Sequence, residues 1–244
     1  MIYKTRYASS RGAIAWCEGT AYALGLVATD GCLARDGRHI TFDSNDRQLV
    51  ETFLACVGRP DARVAPRRTR VGGIAYRAQL SDRRLYEWLT ERGLTPAKSL
   101  TLGALDVPDD LFRHTARGLL DGDGAIYVKP QRPTVRLYPN YWYLRLWTYF
   151  TSASGAHLEW LRARIHALYG LDGWLECTER ADRYAFYRLR FGKKDSMVLL
   201  GSLYADPASP ALVRKRSIWI EYRDARSQCG RRDSNPHALS DNRP

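Results

Sequence analysis

A nine-residue segment occurs twice in this chain and constrains its fold more than any other feature. Residues 23–31 read Ala-Leu-Gly-Leu-Val-Ala-Thr-Asp-Gly, and residues 116–124 read Ala-Arg-Gly-Leu-Leu-Asp-Gly-Asp-Gly. Aligned without gaps, the copies share an Ala, a Gly, a Leu and the closing Asp-Gly, at an offset of 93 residues. Solenoid repeats recur every ~20–50 residues, so this spacing points to a duplicated domain.

The flanks repeat as well. After the first copy come short strands 32–35 and 38–43 around the turn Asp36-Gly37, then a helix capped by Asn45 or Asp46 that runs to Val57 and stops at Gly58. A strand 73–80 and a helix 82–92 follow. After the second copy come strand 125–129, a Pro-rich loop 130–139, an aromatic strand 141–151, and a helix with Leu158, Leu161, Ile165 and Leu168 in phase that ends at Gly170. Strands 174–179 and 183–191 and a helix 195–204 complete it. Each half closes on a basic segment containing Pro, residues 95–99 and 209–216. The expected class is α+β: two pseudo-symmetric αββαββα repeats with antiparallel sheets, residues 1–105 and 106–226. Residues 227–244 are polar and turn-rich, and are expected to form a disordered tail.

The repeated segments read as the ends of two helices, Gly19–Asp30 and Pro108–Asp123. The first is apolar nearly all round, as a buried helix is. Gly25 and Gly118 match in position and would let the two backbones approach closely, so the helices are expected to pack in parallel across a pseudo-two-fold axis. Asp30 and Asp123 then stand at helix C-termini, where an anion costs about 0.3–1 kcal/mol against the dipole. They would also converge and repel each other. A divalent cation relieves both, and Mg²⁺ (or Mn²⁺) favours carboxylates with water and phosphate oxygens. Paired carboxylates beside a basic surface point to metal-assisted phosphodiester hydrolysis.

The surface is basic: 38 Lys and Arg against 26 Asp and Glu give a net charge of +12. Such a surplus points first to nucleic acid. Only six of the basic residues are Lys, the other 32 being Arg, the better bidentate partner for phosphate and guanine, although a GC-rich genome supplies Arg codons equally well. The five Cys include no CxxC pair and no HExxH occurs, which argues against a zinc site or a disulfide framework. No apolar run approaches the ~18 residues of a transmembrane helix, and the first residues lack the apolar core of a signal peptide. The expected setting is cytoplasmic and nucleoid-associated, in a GC-rich bacterium, phage or mobile element, with no membrane partner.

Both nonapeptides resemble the motif of the LAGLIDADG homing endonucleases, and the repeat covers residues 17 to about 222. The resemblance implies two motif helices at the interface of αββαββα halves, with the last acid of each motif binding Mg²⁺ in a DNA-cleavage site; by position these are Asp30 and Asp123. The sixth position is Ala28 in one copy and Asp121 in the other. The family needs no acid there, so Asp121 is not expected to be a ligand. The resemblance also implies one basic residue per half near the scissile phosphates. Lys98 and Lys215 stand where these are expected, Lys215 less distinctly because Arg214 and Arg216 flank it.

In the same frame, the sheets form a saddle on double-stranded DNA, since the major groove admits a β-ribbon. Strand alternation turns Ile74, Tyr76, Ala78 and Leu80 inward and leaves Arg77 and Gln79 outward. It likewise places Tyr143, Arg145 and Trp147, and then Arg188 and Arg190, on the outer face. Loops 59–70 and 130–139 would touch phosphates. Because the halves differ, the target is expected to be long and non-palindromic, and one chain carrying both repeats needs no dimer.

Two other functions use such a scaffold: an intron maturase, which binds RNA, and a DNA-binding regulator that does not cleave. Against the regulator stand Asp30 and Asp123, which without a metal would only destabilise. An intein is disfavoured, since neither end has its splicing residues. Finally, Asp233-Ser234-Asn235-Pro236 matches a reading frame crossing the complement of a tRNA T arm, which suggests a gene that ends over a tRNA gene.

Overall fold

The computed structural model describes residues 13–69, 72–131, 143–180 and 183–232. The segment read as a tRNA overlap and most of the loop 130–139 lie outside these. Two helix/sheet units follow one another with the same order of elements. The first runs α1 (Glu18–Asp30), β1 (Gly31–Leu33), β2 (His39–Ser44), α2 (Arg47–Cys56), β3 (Val64–Arg68), β4 (Ile74–Ser81) and α3 (Arg83–Glu91). The second runs α4 (Phe112–Asp123), β5 (Ala125–Gln131), β6 (Tyr143–Ser152), α5 (Gly155–Tyr169), β7 (Trp174–Arg180), β8 (Arg183–Phe191) and α6 (Lys193–Leu203), and α7 (Val213–Arg232) closes it. Each unit has a four-stranded antiparallel sheet, ordered β1-β2-β4-β3 and β5-β6-β8-β7.

The alternation read from sequence positions the core. Ala78 and Leu80 of one sheet, and Leu146, Phe150, Leu189 and Phe191 of the other, are buried in keeping with it, and Ile40 and Phe42 of β2 join them in the core. Phe42 stacks on Phe53 of α2 with ring centroids 4.8 Å apart. Ile74 departs from the expectation and is 59% exposed. It lies at the start of β4, beyond the last residue paired with β2 and opposite Arg68 of β3.

Helices α1 and α4 join the units. α1 is capped by Cys17 and Thr20, whose side chains each accept the other's backbone N–H, and it is buried from Gly19 through Ala28. The helices touch at matching steps. Thr115 Oγ1 donates to the Ala21 carbonyl at 2.9 Å. Gly25 and Gly118 meet one turn on, and Gly122 lies against Thr29 one turn further. These contacts advance in the same direction along both helices, so the packing is parallel.

Four local expectations are corrected. α4 begins at Phe112 rather than Pro108, because residues 108–111 close i→i+3 turns, Pro108 O to Leu111 N and Asp109 O to Phe112 N. Residues 64–68, read as loop, form β3. Pro66 is accommodated because β3 is an edge strand, where a missing N–H costs little. Pro130 sits in the edge strand β5 on the same terms. Finally, α7 carries helical backbone through Arg232, into the segment read as a disordered tail, while residues 233–244 lie outside the described set. Trp219 and Tyr222 are its core residues.

Candidate active site

Parallel packing of α1 and α4 brings the ends of both repeated segments to one groove. Asp30 and Asp123 line it, with Asp43, Asp46 and Arg214 around them, in an open volume of about 320 Å³. Asp30 is half-buried and Asp123 opens to solvent. Neither carboxylate has a hydrogen bond or ion pair among the described residues. Burial, and then the Asp123 carboxylate, push Asp30 up to about 7, with Lys215 and Lys98 pulling the other way. Asp123 is raised too by the surrounding protein, against Lys215 and Lys98. The groove thus holds two carboxylates without hydrogen-bond or ion-pair partners among the described residues, each eased by the charges of Lys215 and Lys98 and disfavoured by burial, with Asp123 adding to the cost at Asp30.

The expected lysines come to the same place. Lys98 and Lys215 are both buried, at 5% and 6% exposure, where a surface Lys would be solvated. Lys98 Nζ donates to the Gly31 carbonyl, immediately after Asp30. Lys215 Nζ donates to the Gly124 carbonyl at 2.6 Å, immediately after Asp123, and also to the carbonyls of Leu120, Asp121 and Gly122 at 2.7, 2.9 and 3.1 Å. Each motif helix therefore ends on a buried ammonium, which favours the negative pole of its dipole. Burial lowers the pKa of both lysines; the Asp30 and Asp123 charges are among those that oppose it.

Each lysine is carried by a segment that the other unit clamps. Gln48 at the start of α2 donates to the Ala211 carbonyl at 3.0 Å and accepts from Val213 N at 3.1 Å. At the start of α5, Ser154 Oγ donates to the Leu102 carbonyl at 2.6 Å and His157 Nδ1 to the Gly103 carbonyl at 2.8 Å. Ala97, just before Lys98, is held at φ 57°, the one non-glycine residue with positive φ among those described. Such strain is kept where the surroundings impose it.

Asp121 is where reading the sequence fell short. The motif resemblance gives it no ligand role, and its structural part is not evident from the sequence. The side chain is fully buried and accepts from Tyr22 OH at 2.8 Å, Tyr204 OH at 2.6 Å and Leu212 N at 2.7 Å. One signal was available: Arg117 and Asp121 are one turn apart on a helix expected to be buried, so both needed partners. Arg117 finds the Leu203 carbonyl and His114.

Among the described residues no group of three or more His, Cys, Asp or Glu side chains forms a metal cage. What is present is a carboxylate pair with free oxygens facing a groove. That set does not fit a dedicated structural metal, but it fits Mg²⁺, which takes one or two carboxylates and completes its shell with water and phosphate oxygens.

The outer sheet faces carry the residues expected to meet nucleic acid. Arg77 is bidentate to Asp43, both contacts at 2.7 Å, and Gln79 is exposed. Arg145 lies over the Trp147 ring at 5.1 Å. Arg188 is exposed and lies over Tyr149 at 5.3 Å, and Arg190 pairs with Glu176 at 3.0 Å. Tyr143 opens β6 opposite Gln131, and its side chain lies outside the described set. No helix among the described residues is long and apolar enough to cross a membrane.

Solved structures share this fold. The LAGLIDADG homing endonuclease I-LtrWI bound to target DNA matches at a TM-score of 0.54 and 13% identity, over 88% of this chain and 92% of that one. Mesophilic variants of the homing endonuclease I-DmoI match at 0.53 and 13%, over 82% and 96%. Full-length DUF199/WhiA from Thermatoga maritima matches at 0.50 and 16%, over 86% of this chain, which spans 60% of that protein's length. The chain is thus a distant structural match to the LAGLIDADG homing-endonuclease fold over most of its length. No protein-family model matches it, and no curated protein does.

Proposed function

We propose that this protein is a site-specific DNA endonuclease, acting as a monomer on a long, non-palindromic double-stranded target. The observation that supports this most is the pair of unpartnered carboxylates, Asp30 and Asp123, facing one groove from the ends of two glycine-packed helices, with a buried lysine beside each. The two repeats, residues 1–105 and 106–226, each supply one half of the site.

Asp30 and Asp123 hold Mg²⁺ (or Mn²⁺), which when bound supplies Lewis-acid charge for phosphodiester hydrolysis. The residues of the chain do the rest. Lys98 and Lys215 stand at the groove as fixed cations and stabilise charge that develops on the phosphate. Gly25 and Gly118 set the separation of the carboxylates. On the sheets, Arg188 offers a guanidinium without an acidic partner among the described residues, while Asp43 holds Arg77 in a fixed orientation for base-edge reading. Gln79, Tyr143, Arg145 and Arg190 complete that face.

One observation favours a second reading, a DNA-binding regulator that does not cleave. The buried ammoniums of Lys98 and Lys215 offset the charge at both helix ends, so the carboxylates do not require a metal for the fold, contrary to what the sequence alone implied. The deciding experiment incubates purified protein and Mg²⁺ with DNA spanning the gene's own insertion site with the element removed. The endonuclease reading expects a mapped double-strand cut with short 3′ overhangs. Tight binding to that DNA with no cut in Mg²⁺ or Mn²⁺ supports the regulator.

A further inference from the structure

The two motif copies differ at their sixth position, Ala28 against Asp121, and the difference has a structural counterpart beside the groove. Asp121 reaches the segment that carries Lys215 by two routes. Its side chain accepts from Leu212 N at 2.7 Å, at the entry to α7, and its backbone carbonyl accepts from Lys215 Nζ at 2.9 Å. Tyr22 of α1 and Tyr204 after α6 donate to the same carboxylate at 2.8 and 2.6 Å, so its oxygens are fixed from both units. A fully buried carboxylate is costly unless its acceptors are filled, and here three donors fill them. Ala28, with only a methyl group, offers no acceptor to do the same for Lys98. That lysine lies on a short 3-10 turn, Lys98–Leu100, and its segment is anchored from α5 through Leu102 and Gly103 instead.

We infer that Asp121 is a positioning residue that sets the place of Lys215 and not that of Lys98, so that the two lysines of the site are held by separate devices. The inference rests on the reading that Lys215 serves strand cleavage, but the placement itself is testable without cleavage. Asp121→Asn keeps the shape and loses an acceptor; Tyr204→Phe keeps the ring and removes one donor to the carboxylate. The primary measurement is amine acetylation followed by mass spectrometry, with the exposed Lys193 and Lys194 as internal references. In the parent, Lys98 and Lys215 should both react slowly. In Asp121→Asn, Lys215 should react about tenfold faster or more, with Lys98 unchanged, since a freed side chain samples solvent. Tyr204→Phe should move Lys215 in the same direction by less, and it decides the question should Asp121→Asn fail to fold. Lys215 as protected in the folded variants as in the parent overturns the inference, as does a joint rise of Lys98 and Lys215.

Strand-resolved single-turnover cleavage gives the second readout. Asp121→Asn should slow one strand about tenfold or more, leave the other strand and DNA affinity near parental, and add nothing further in a Lys215→Met background. Equal slowing of both strands, or a full additional loss in the double variant, contradicts it. A parent that cuts no DNA defeats the endonuclease reading, and the labelling result still decides whether Asp121 places Lys215.

Discussion

Gly25 and Gly118 meet backbone to backbone: a Cβ built on Gly118 would lie 3.1 Å from the Gly25 Cα and 2.3 Å from the Tyr22 carbonyl oxygen. A Cβ on Gly25 would lie 2.2 Å from the Thr115 carbonyl oxygen. These are backbone atoms of packed helices, and a flexible side chain cannot yield to make room. Gly25→Ala or Gly118→Ala should therefore cost about 2–4 kcal/mol in urea denaturation, at the upper end of overpacking effects. Gly103→Ala, which meets nothing within 4 Å, serves as the control and should stay within roughly 0.5 kcal/mol of the parent.

A second prediction concerns pH. His157 is buried, donates to the Gly103 carbonyl and is held neutral, its pKa lowered by burial to about 4. The unfolded chain takes up this proton near pH 6.5, whereas the folded one resists until about pH 4. Between those values the unfolded state binds more protons, so stability falls as pH falls, by up to roughly 3 kcal/mol from this group. Asp30, raised to about 7, acts in the opposite sense over the same range, and His114, lowered to about 4 by burial, acts in the same sense. The test is therefore a difference: between pH 7.5, 5.5 and 4.5 the parent should lose more stability, or gain less, than His157→Gln does. An unchanged slope in that variant contradicts the assignment.

On the sheet face, Arg188→Ala should weaken DNA binding and lower the slope of log affinity against log salt by about one. Arg77→Ala and Arg190→Ala should change the slope less, because Asp43 and Glu176 already compensate those charges. Fluorescence anisotropy across a salt series separates the two groups. Equal slopes for all three variants would show that the ion pairs open on binding.

Much of this arrangement was legible in the chain, for identifiable reasons. Gly25, Gly118, Asp30 and Asp123 stood out because close helix packing and charge at a helix end each demand particular residues. Core strands were legible from alternation at Ala78, Leu80, Leu189 and Phe191. Lys98 and Lys215 were placed only through family resemblance, since nothing local distinguishes a lysine that binds carbonyls from one that binds water. Asp121 was missed because its partners, Tyr22, Tyr204 and Leu212, are 99, 83 and 91 residues away. β3 was missed because Pro66 is a breaker everywhere except at a sheet edge. α7 was missed because its long polar face outweighed the two core residues, Trp219 and Tyr222.

Truncation tests that last point. Deleting residues 227–244 removes no residue of the described core and should leave the melting temperature within a few degrees. Deleting residues 219–244 also removes Trp219 and Tyr222, which are 6% and 3% exposed, and should cost several kcal/mol. Similar melting temperatures for the two truncations would place α7 outside the fold's cooperative unit.

The central claim is that Asp30 and Asp123 together hold the metal for strand cleavage, and one paired measurement addresses it most directly. Parent, Asp30→Asn and Asp123→Asn proteins are assayed with Mg²⁺ on the insertion-site DNA for cleavage, and in parallel for DNA affinity and for melting temperature without divalent ions. The expected result is loss of Mg²⁺-dependent cleavage in both variants, DNA affinity close to the parent's, and a melting temperature that holds or rises as the charge opposing the helix dipole is removed. Variants that cut the target as fast as the parent would contradict the claim and leave the two carboxylates a structural role.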